Sequence, residues 1–269
     1  MADKPSRALV LYGYGLARFI SPSHDHLHSL ASKASCGFLT LPTAPTSAVV
    51  ITKNSTLKVF GAKLGLIVLE SNDLVKNLHS LAKVPADVVA SELLNLLGFK
   101  EGKTLETSEY NLVCVYVGDG GRDMEYVNAL VGDIMKIAQP GSEIGSRLHL
   151  SLVMSYGHVP EDNDPNLPVL TTKDEKKSDL LMLWSLLDGI CLNISHKCYT
   201  MRGENQREDV RHHFPILITQ WQYGVTRKDM AEMFSFKDFL EHGGNLAIPA
   251  DRFLHEVAFK IWKAPKYGA

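Results

Sequence analysis

The chain has 269 residues, 45% of them hydrophobic, which is enough to bury a large core as one α/β domain or two small ones. Lys and Arg total 28 against 30 Asp and Glu, a formal charge of -2, so the balance lacks the basic excess typical of proteins that bind nucleic acid or anionic membranes. We therefore predict a single domain over residues 1–269, with neither nucleic acid nor membrane as a partner.

The termini and the cysteines favour a cytoplasmic protein. The sequence MADKPSR lacks the apolar region of a signal peptide, and PKYGA matches no retention or peroxisomal signal. The most apolar segment, 180–194, is shorter than the roughly 18 residues of a membrane span. The four cysteines lie too far apart for the paired ligands of structural zinc sites and are expected to be reduced thiols in the core or in strands: Cys36, Cys114, Cys191 and Cys198.

The predicted elements alternate between strands and helices. Strands are expected at 8–12, in short pieces within 38–60, and at 65–70, 112–117, 147–155 and 215–221, with a further candidate at 191–201. Helices are expected after Ser23, at 73–81, 86–97, 124–138 and 180–190, and after Ser235 and Pro249. This alternation predicts an α/β fold, a mainly parallel sheet with helices on both faces.

Several local details can be predicted from helix start and stop signals. Ser23 should cap a short helix that ends near Gly37, and Gly98 and Ser235 should end and begin helices. Apolar surface in the last helix should include Trp262. His24 and His28 share a helix face and form a possible metal pair, but we expect solvated or capping histidines on an exposed first turn.

Polar residues gather where predicted strands end or begin. YNLVCVYVGDGGRD stops a β-branched strand at a turn of glycines and aspartates, and comparable positions are 12–15, 156–158 and 212–213. Asp119 and Asp123 have the spacing to bind a divalent cation, although Asp123 is also suited to capping the following helix. Gly118 to Gly121 offers backbone N–H groups to an anion but lacks the ending of a P-loop. Signatures of serine or cysteine nucleophiles are absent.

The order of several segments resembles the alkaline-phosphatase superfamily, in particular archaeal-type cofactor-independent phosphoglycerate mutases. The segments that carry the resemblance are ALVLYGYG, HDHLHSLASKASCGFLTLP, LIVLESNDLVKNLHSLAKV, NLVCVYVGDGGRDMEYVNALVGDI, RLHLSLVMSYG and HHFPILITQWQYGVTRKDMAEMFSFKDFLEHGGN. They span most of the chain. The resemblance implies an alkaline-phosphatase-like core, without the family's large lid insertion.

The chain departs from this family where metal ligands are expected. The family's opening aspartate matches Tyr12, whose phenol is neutral near pH 7 because its reference pKa is about 10. In the family's Asp-x-x-x-His-x-x-Asp turn, Asp119 and Asp123 remain and Gly121 or Arg122 replaces the histidine. A guanidinium there can replace a cation electrostatically.

Two further positions complete the comparison. The family's Asp-His pair matches Tyr156 and Gly157, and the histidine before the final strand matches His212 or His213. The nucleophilic Ser or Thr has no clear counterpart. A two-metal phosphoryl-transfer site needs a complete ligand cage, so these losses imply that the ancestral chemistry has gone.

The resemblance and its departures predict a pseudoenzyme, a non-catalytic binding or interaction protein without a metal or other cofactor. Its partner would be an unknown protein or a small phosphorylated ligand, bound near Tyr12, Asp119, Arg122, Asp123, Tyr156, His212 and His213.

Two alternatives remain open. One is a divergent phosphohydrolase or phosphomutase that acts on a small phosphate ester with Zn or Mn, held by substitute ligands among Asp25, Asp119, Asp123, His158, His212 and His213. The other is a small-molecule binder that holds an anion on residues 118–121 without turnover.

Overall fold

The structure is a computed structural model and describes residues 7–40, 50–51, 68–69, 84–106, 108, 110–117, 121–156, 201–202, 205–206, 216–243 and 246–263. Several predicted features lie outside these residues. They are Asp119, His158, His212 and His213, the glycines at 118 and 157, Cys191 and Cys198, the helices expected at 73–81 and 180–190, and nearly all of the candidate strand at 191–201.

The described chain contains twelve strands and six α-helices. The strands are β1 (Arg7–Gly13), β2 (Ser35–Thr40), β3 (Val50–Ile51), β4 (Val68–Leu69), β5 (Phe99–Lys100), β6 (Lys103–Thr104), β7 (Leu112–Val117), β8 (Leu148–Ser155), β9 (Met201–Arg202), β10 (Asn205–Gln206), β11 (Ile216–Trp221) and β12 (Leu246–Pro249). The helices are α1 (Asp25–Ala31), α2 (Ala86–Leu96), α3 (Gly121–Ile137), α4 (Glu143–Arg147), α5 (Phe236–Glu241) and α6 (Ala250–Lys260). A 3-10 helix covers Leu16–Phe19.

Eight of the strands form one sheet in the order β12-β2-β11-β8-β1-β7-β3-β4. β1 pairs in parallel with β7 and β8, while β11 is antiparallel to both β8 and β2. Among the eight, β11 alone runs against the rest. The predicted α/β class with a mainly parallel sheet is therefore confirmed.

Side chains of the central strand β1 alternate between two hydrophobic clusters, as the period of two of a β-strand requires. Leu9 and Leu11 face the larger cluster, which contains buried residues of α1 to α5. Val10 and Tyr12 face the smaller cluster, whose helical residues come from α6. The predicted helices on both faces are thus confirmed.

Some predicted helix ends are confirmed. Gly98 has a φ of 71°, a left-handed conformation that glycine adopts without strain, and it follows Leu97, the C-cap residue of α2. The Ser235 hydroxyl accepts a hydrogen bond from the Asp238 backbone N–H and so caps α5.

Other local predictions are wrong. His24, and not Ser23, occupies the N-cap position of α1, and this helix ends at Ala31 because residues 35–39 pair with β11. Gly37 is therefore a strand residue. Trp262 is 62% exposed, because α6 ends at Lys260 and Trp262 adopts a left-handed conformation in the turn that follows.

Cys36 and Cys114 lie in the described part of the chain, where reduced thiols in the core or in strands were predicted. Cys36 and Cys114 are free, and Cys36 is fully buried in β2. Burial raises the pKa of both, that of Cys114 to about 12, so neither provides a thiolate near neutral pH. No helix within the described ranges combines the length and apolar character needed to cross a membrane.

Candidate functional site

The ends of several strands meet at one edge of the sheet, here called the carboxyl edge. Gly13, the last residue of β1, is in register with Val117 at the end of β7 and with Met154 near the end of β8. The antiparallel strand β11 starts at this edge, since Ile216 pairs with Ser155. Three of the four predicted polar segments thus come from, or directly follow, strand ends at this edge, and residues 212–213 shortly precede β11. This is where α/β sheets usually bind ligands.

Tyr12 lies at the carboxyl edge but is buried, with 4% of its surface exposed. Its phenol oxygen is 3.4 Å from Ser155 Oγ, and its ring centroid is 5.7 Å from that of Tyr116 at a tilt of 49°. Ser155 Oγ also accepts a hydrogen bond of 3.1 Å from the Gly15 backbone N–H. The Tyr12 phenol and the Ser155 hydroxyl therefore contact each other at the end of β1, and Ser155 also binds the turn that follows this strand.

Ser155 is a site residue that the sequence analysis missed. It ends β8 and lies on the same sheet face as Tyr12, because Tyr12 is in register with Val153, two residues earlier. The sequence of β8 alternates between apolar and polar residues only in its first part, and the whole strand is buried, so the serine at its end gave no functional signal. Gly15 has a φ of 67°, a conformation that favours glycine at the turn where its N–H reaches Ser155.

The first turn of α3 follows β7 at the same edge. α3 begins at Gly121, which makes Asp123 its third residue rather than its cap. Asp123 is half-buried in this first turn, where a carboxylate interacts favourably with the helix dipole. Arg122 is exposed. The start of α3 therefore carries one accessible guanidinium beside one acidic residue.

Tyr156 lies on the other face of the sheet from Tyr12. It belongs to the larger cluster with Leu9, whereas Tyr12 belongs to the smaller one with Val10. Burial raises the pKa of Tyr156 to about 12, opposed by a hydrogen bond from the Phe236 backbone N–H at the start of α5. Tyr12 and Tyr156 thus share an edge but do not converge on one ligand.

His24 and His28 are buried, so the prediction of histidines on an exposed first turn is wrong, although His24 does occupy the N-cap position of α1. His28 Nδ1 accepts from the Phe234 N–H at 3.1 Å, and its Nε2 is 2.9 Å from the Ser21 carbonyl. His24 Nδ1 accepts from the Ser21 N–H at 2.9 Å, while its Nε2 is 3.2 Å from a Glu125 carboxylate oxygen. These rings connect α1 to its neighbours and leave no open pair of nitrogens for a metal.

Other candidate ligands are dispersed. Asp25 is exposed at the start of α1. Within the described residues, no group of three or more His, Cys, Asp or Glu side chains has an arrangement that could hold a metal ion.

Comparison with known proteins finds similarity in structure only. No family model matches the sequence, and no curated protein matches it. The chain is similar to a protein in the alkaline phosphatase superfamily from Vibrio parahaemolyticus, with 10% identity and a TM-score of 0.48 over 84% of this chain. It spans 62% of the length of that protein. It is also similar to the PH0037 protein from Pyrococcus horikoshii, with 10% identity and a TM-score of 0.53 over 100% of both chains.

At this level of identity the similarities show the fold alone. The match with a TM-score of 0.48 is too weak to support an argument about function. The closer resemblance to phosphoglycerate mutases stays a prediction from the sequence.

Proposed function

We propose that this chain is a non-catalytic, alkaline-phosphatase-like domain that binds a small phosphorylated ligand at the carboxyl edge, in the cytoplasm. The observation that carries this proposal is the environment of Tyr12. The sequence resemblance aligns Tyr12 with a metal-binding aspartate, and its phenol is buried against Ser155 and Tyr116.

The chemistry of phosphoryl transfer supports a loss of catalysis. Two-metal enzymes hold both cations in a cage of carboxylates and imidazoles, which stabilises the attacking and leaving oxygens. A phenol with a pKa near 10 remains neutral at pH 7 and contributes no charge to such a cage. Tyr12 also packs among apolar side chains, including Val10 and Ile218, an environment unfavourable to a divalent cation.

The start of α3 supports phosphate as the ligand chemistry. α3 has 17 residues and begins at the carboxyl edge. The N–H groups in the first turn of a helix have no acceptor within the helix, and together with the positive end of the helix dipole they favour an anion. Arg122 adds an exposed guanidinium, a group that pairs well with phosphate oxygens.

A catalytic alternative is favoured by one observation. β11 starts at the same edge, with Ile216 in register with Ser155, and His212 and His213 shortly precede it in the sequence. With Asp119 and Zn or Mn they would form the site of a divergent phosphohydrolase or phosphomutase.

The test combines metal analysis, turnover and ligand binding. Protein purified without chelator is expected to contain no stoichiometric Zn or Mn and to leave phenyl phosphate intact with either metal added. Inorganic phosphate should raise the Tm of the wild type, since a ligand that binds only the folded state stabilises it.

Arg122→Gln should lose this response to phosphate. Lys136→Gln is the matched control, because it removes one positive charge from the opposite end of α3 and should keep the response. About two bound metal ions per chain and cleavage of phenyl phosphate, both abolished in Asp119→Ala and His213→Ala, would establish the catalytic alternative instead. An equal response to phosphate in the two α3 variants would refute binding at Arg122.

A further inference from the structure

A second group of polar residues lies between the sheet and α6. It consists of His149 and Ser151 of β8, Gln220 of β11 and Lys260 of α6, and we call it the His149 cluster. Gln220 is directly opposite Ser151 in the β8–β11 register, and His149 is two residues before Ser151 on the same face. His149 precedes Ser155 by six residues, about 20 Å along a strand, so the cluster is separate from the carboxyl edge.

Three of the four members of the cluster are buried in an otherwise apolar layer. His149, Ser151 and Gln220 have no exposed surface, and Lys260 is half-buried. Lys260 Nζ donates to Gln220 Oε1 at 2.6 Å, and His149 Nε2 is 3.2 Å from Ser151 Oγ. These contacts form two pairs, ammonium with amide and imidazole with hydroxyl, and the strand register places Gln220 opposite Ser151.

The cluster has unused hydrogen-bond donors. Gln220 Nε2 and His149 Nδ1 are buried and find no partner in the described part of the chain. When Ser151 donates its hydroxyl hydrogen to His149 Nε2, the free Nδ1 carries the ring hydrogen and becomes a donor. Gln220 Nε2 carries two hydrogens, and a lysine ammonium has three, of which the Gln220 contact uses one. An unpaired buried donor costs about 1–3 kcal/mol, so an acceptor would stabilise this arrangement.

The charges of the cluster also favour an acceptor that is negative. Burial lowers the pKa of Lys260 to about 8, opposed by Glu256 one turn earlier on α6. Burial and the positive charge of Lys260 lower the pKa of His149 well below its ordinary value. Ala8, with its small side chain, is in register with His149 on the neighbouring strand.

We propose that the His149 cluster binds one small carboxylate anion, of the size of formate or acetate. The two carboxylate oxygens accept from Lys260 Nζ, Gln220 Nε2 and His149 Nδ1, and they bring a negative charge next to the Lys260 ammonium. A water molecule would satisfy some of the donors but would bring no negative charge to Lys260.

The proposal can be tested with sodium formate as the probe. Formate should raise the Tm of the wild type more than sodium chloride does at the same ionic strength, and calorimetry should detect saturable binding of one equivalent. Lys260→Met should weaken formate binding by at least about tenfold, because it removes the charged donor. Lys263→Met is the matched control, since Lys263 is exposed just beyond the same end of α6 and should leave binding unchanged.

A second variant keeps the test decisive if Lys260→Met does not fold. Gln220→Glu places a carboxylate of the chain itself beside Lys260, so this protein should fold and show no response to formate. Equal effects of formate and chloride on the wild type, or a full formate response in Gln220→Glu, would overturn the proposal. A crystal structure grown in formate that shows only a water molecule at the cluster would also overturn it.

Discussion

Tyr12 and His149 lie on the same sheet face, and they show how differently single polar residues are accommodated in an apolar layer. The Tyr12 phenol contacts Ser155 Oγ on the neighbouring strand, so its polar atom is paired while its ring packs against Tyr116. His149 pairs one nitrogen with Ser151 and leaves Nδ1 without a partner among the described residues. Such a ring stays neutral because protonation would bury an uncompensated charge.

The lowered pKa of His149 predicts that acid weakens the fold. The folded protein keeps His149 neutral, whereas the unfolded chain takes up a proton below its ordinary pKa of about 6.5. The unfolded state therefore binds more protons, and the free energy of unfolding should fall below about pH 6.5 by up to about 1.4 kcal/mol per pH unit. Urea unfolding at pH 5 to 8 would measure this, and His149→Gln should show a shallower slope.

His26→Gln is the control for this measurement, because His26 is exposed on α1 and should change the slope little. Parallel stability curves for the wild type and His149→Gln between pH 5 and 6.5 would contradict a proton-linked role for His149.

At the residue scale, the sequence predicts the edge of the sheet where the site lies better than it predicts the contacts. Tyr12 and Tyr156 could be placed at strand ends because β-branched runs stop there. Their separation onto opposite faces could not be predicted, since it depends on the register between β1 and β8, which pairs segments distant in sequence. The burial of His28 depends on Phe234, 206 positions away in sequence. No local pattern carries that information.

Among the elements, α5 shows how one short helix is fixed at its start. The Ser235 hydroxyl accepts from the Asp238 N–H at 3.1 Å, and the Phe236 N–H is bound by the Tyr156 phenol. Phe239 then packs edge-on against Phe234, with ring centroids 5.1 Å apart. A helix of six residues has little stability of its own, so these capping and packing contacts determine its position.

Removal of this cap should destabilise the protein measurably. Ser235→Ala leaves the Asp238 N–H without its acceptor, and we expect a loss of about 1 kcal/mol in the free energy of unfolding. Ser91→Ala is the matched control, because Ser91 is exposed within α2 and alanine is a better helix former. Urea denaturation of the three proteins would measure the difference, and equal stability of the two variants would contradict the capping role.

The elements themselves could largely be predicted from periodicity. The strand predicted at 112–117 matches β7, and the helix predicted at 124–138 overlaps α3 apart from its first turn. The predicted helix α1 is longer than the observed one. Its end depends on the pairing of β2 with β11 and not on a local stop signal.

For the whole molecule, alternating strands and helices were enough to predict a mainly parallel sheet. The order of the strands could not be predicted in this way, because it depends on pairing between distant segments. β1 is central and has β7 and β8 as neighbours, which follow it by about 100 residues or more. The reversed direction of β11, which brings its start to the carboxyl edge, also gave no local signal.

The position of β1 between both clusters predicts that the two faces of the sheet unfold together. Its odd-numbered residues pack in the larger cluster and its even-numbered ones in the smaller, so neither cluster can open without loss of β1. Leu9→Ala and Ile218→Ala each truncate a fully buried side chain, on opposite faces, and each should cost about 2–5 kcal/mol. Both should shift one cooperative transition that circular dichroism and tryptophan fluorescence report at the same urea concentration.

Val88→Ala, at a 45% exposed position on α2, should change stability by less than about 0.5 kcal/mol. A second transition that moves only with Ile218→Ala would mean that the α6 face unfolds independently.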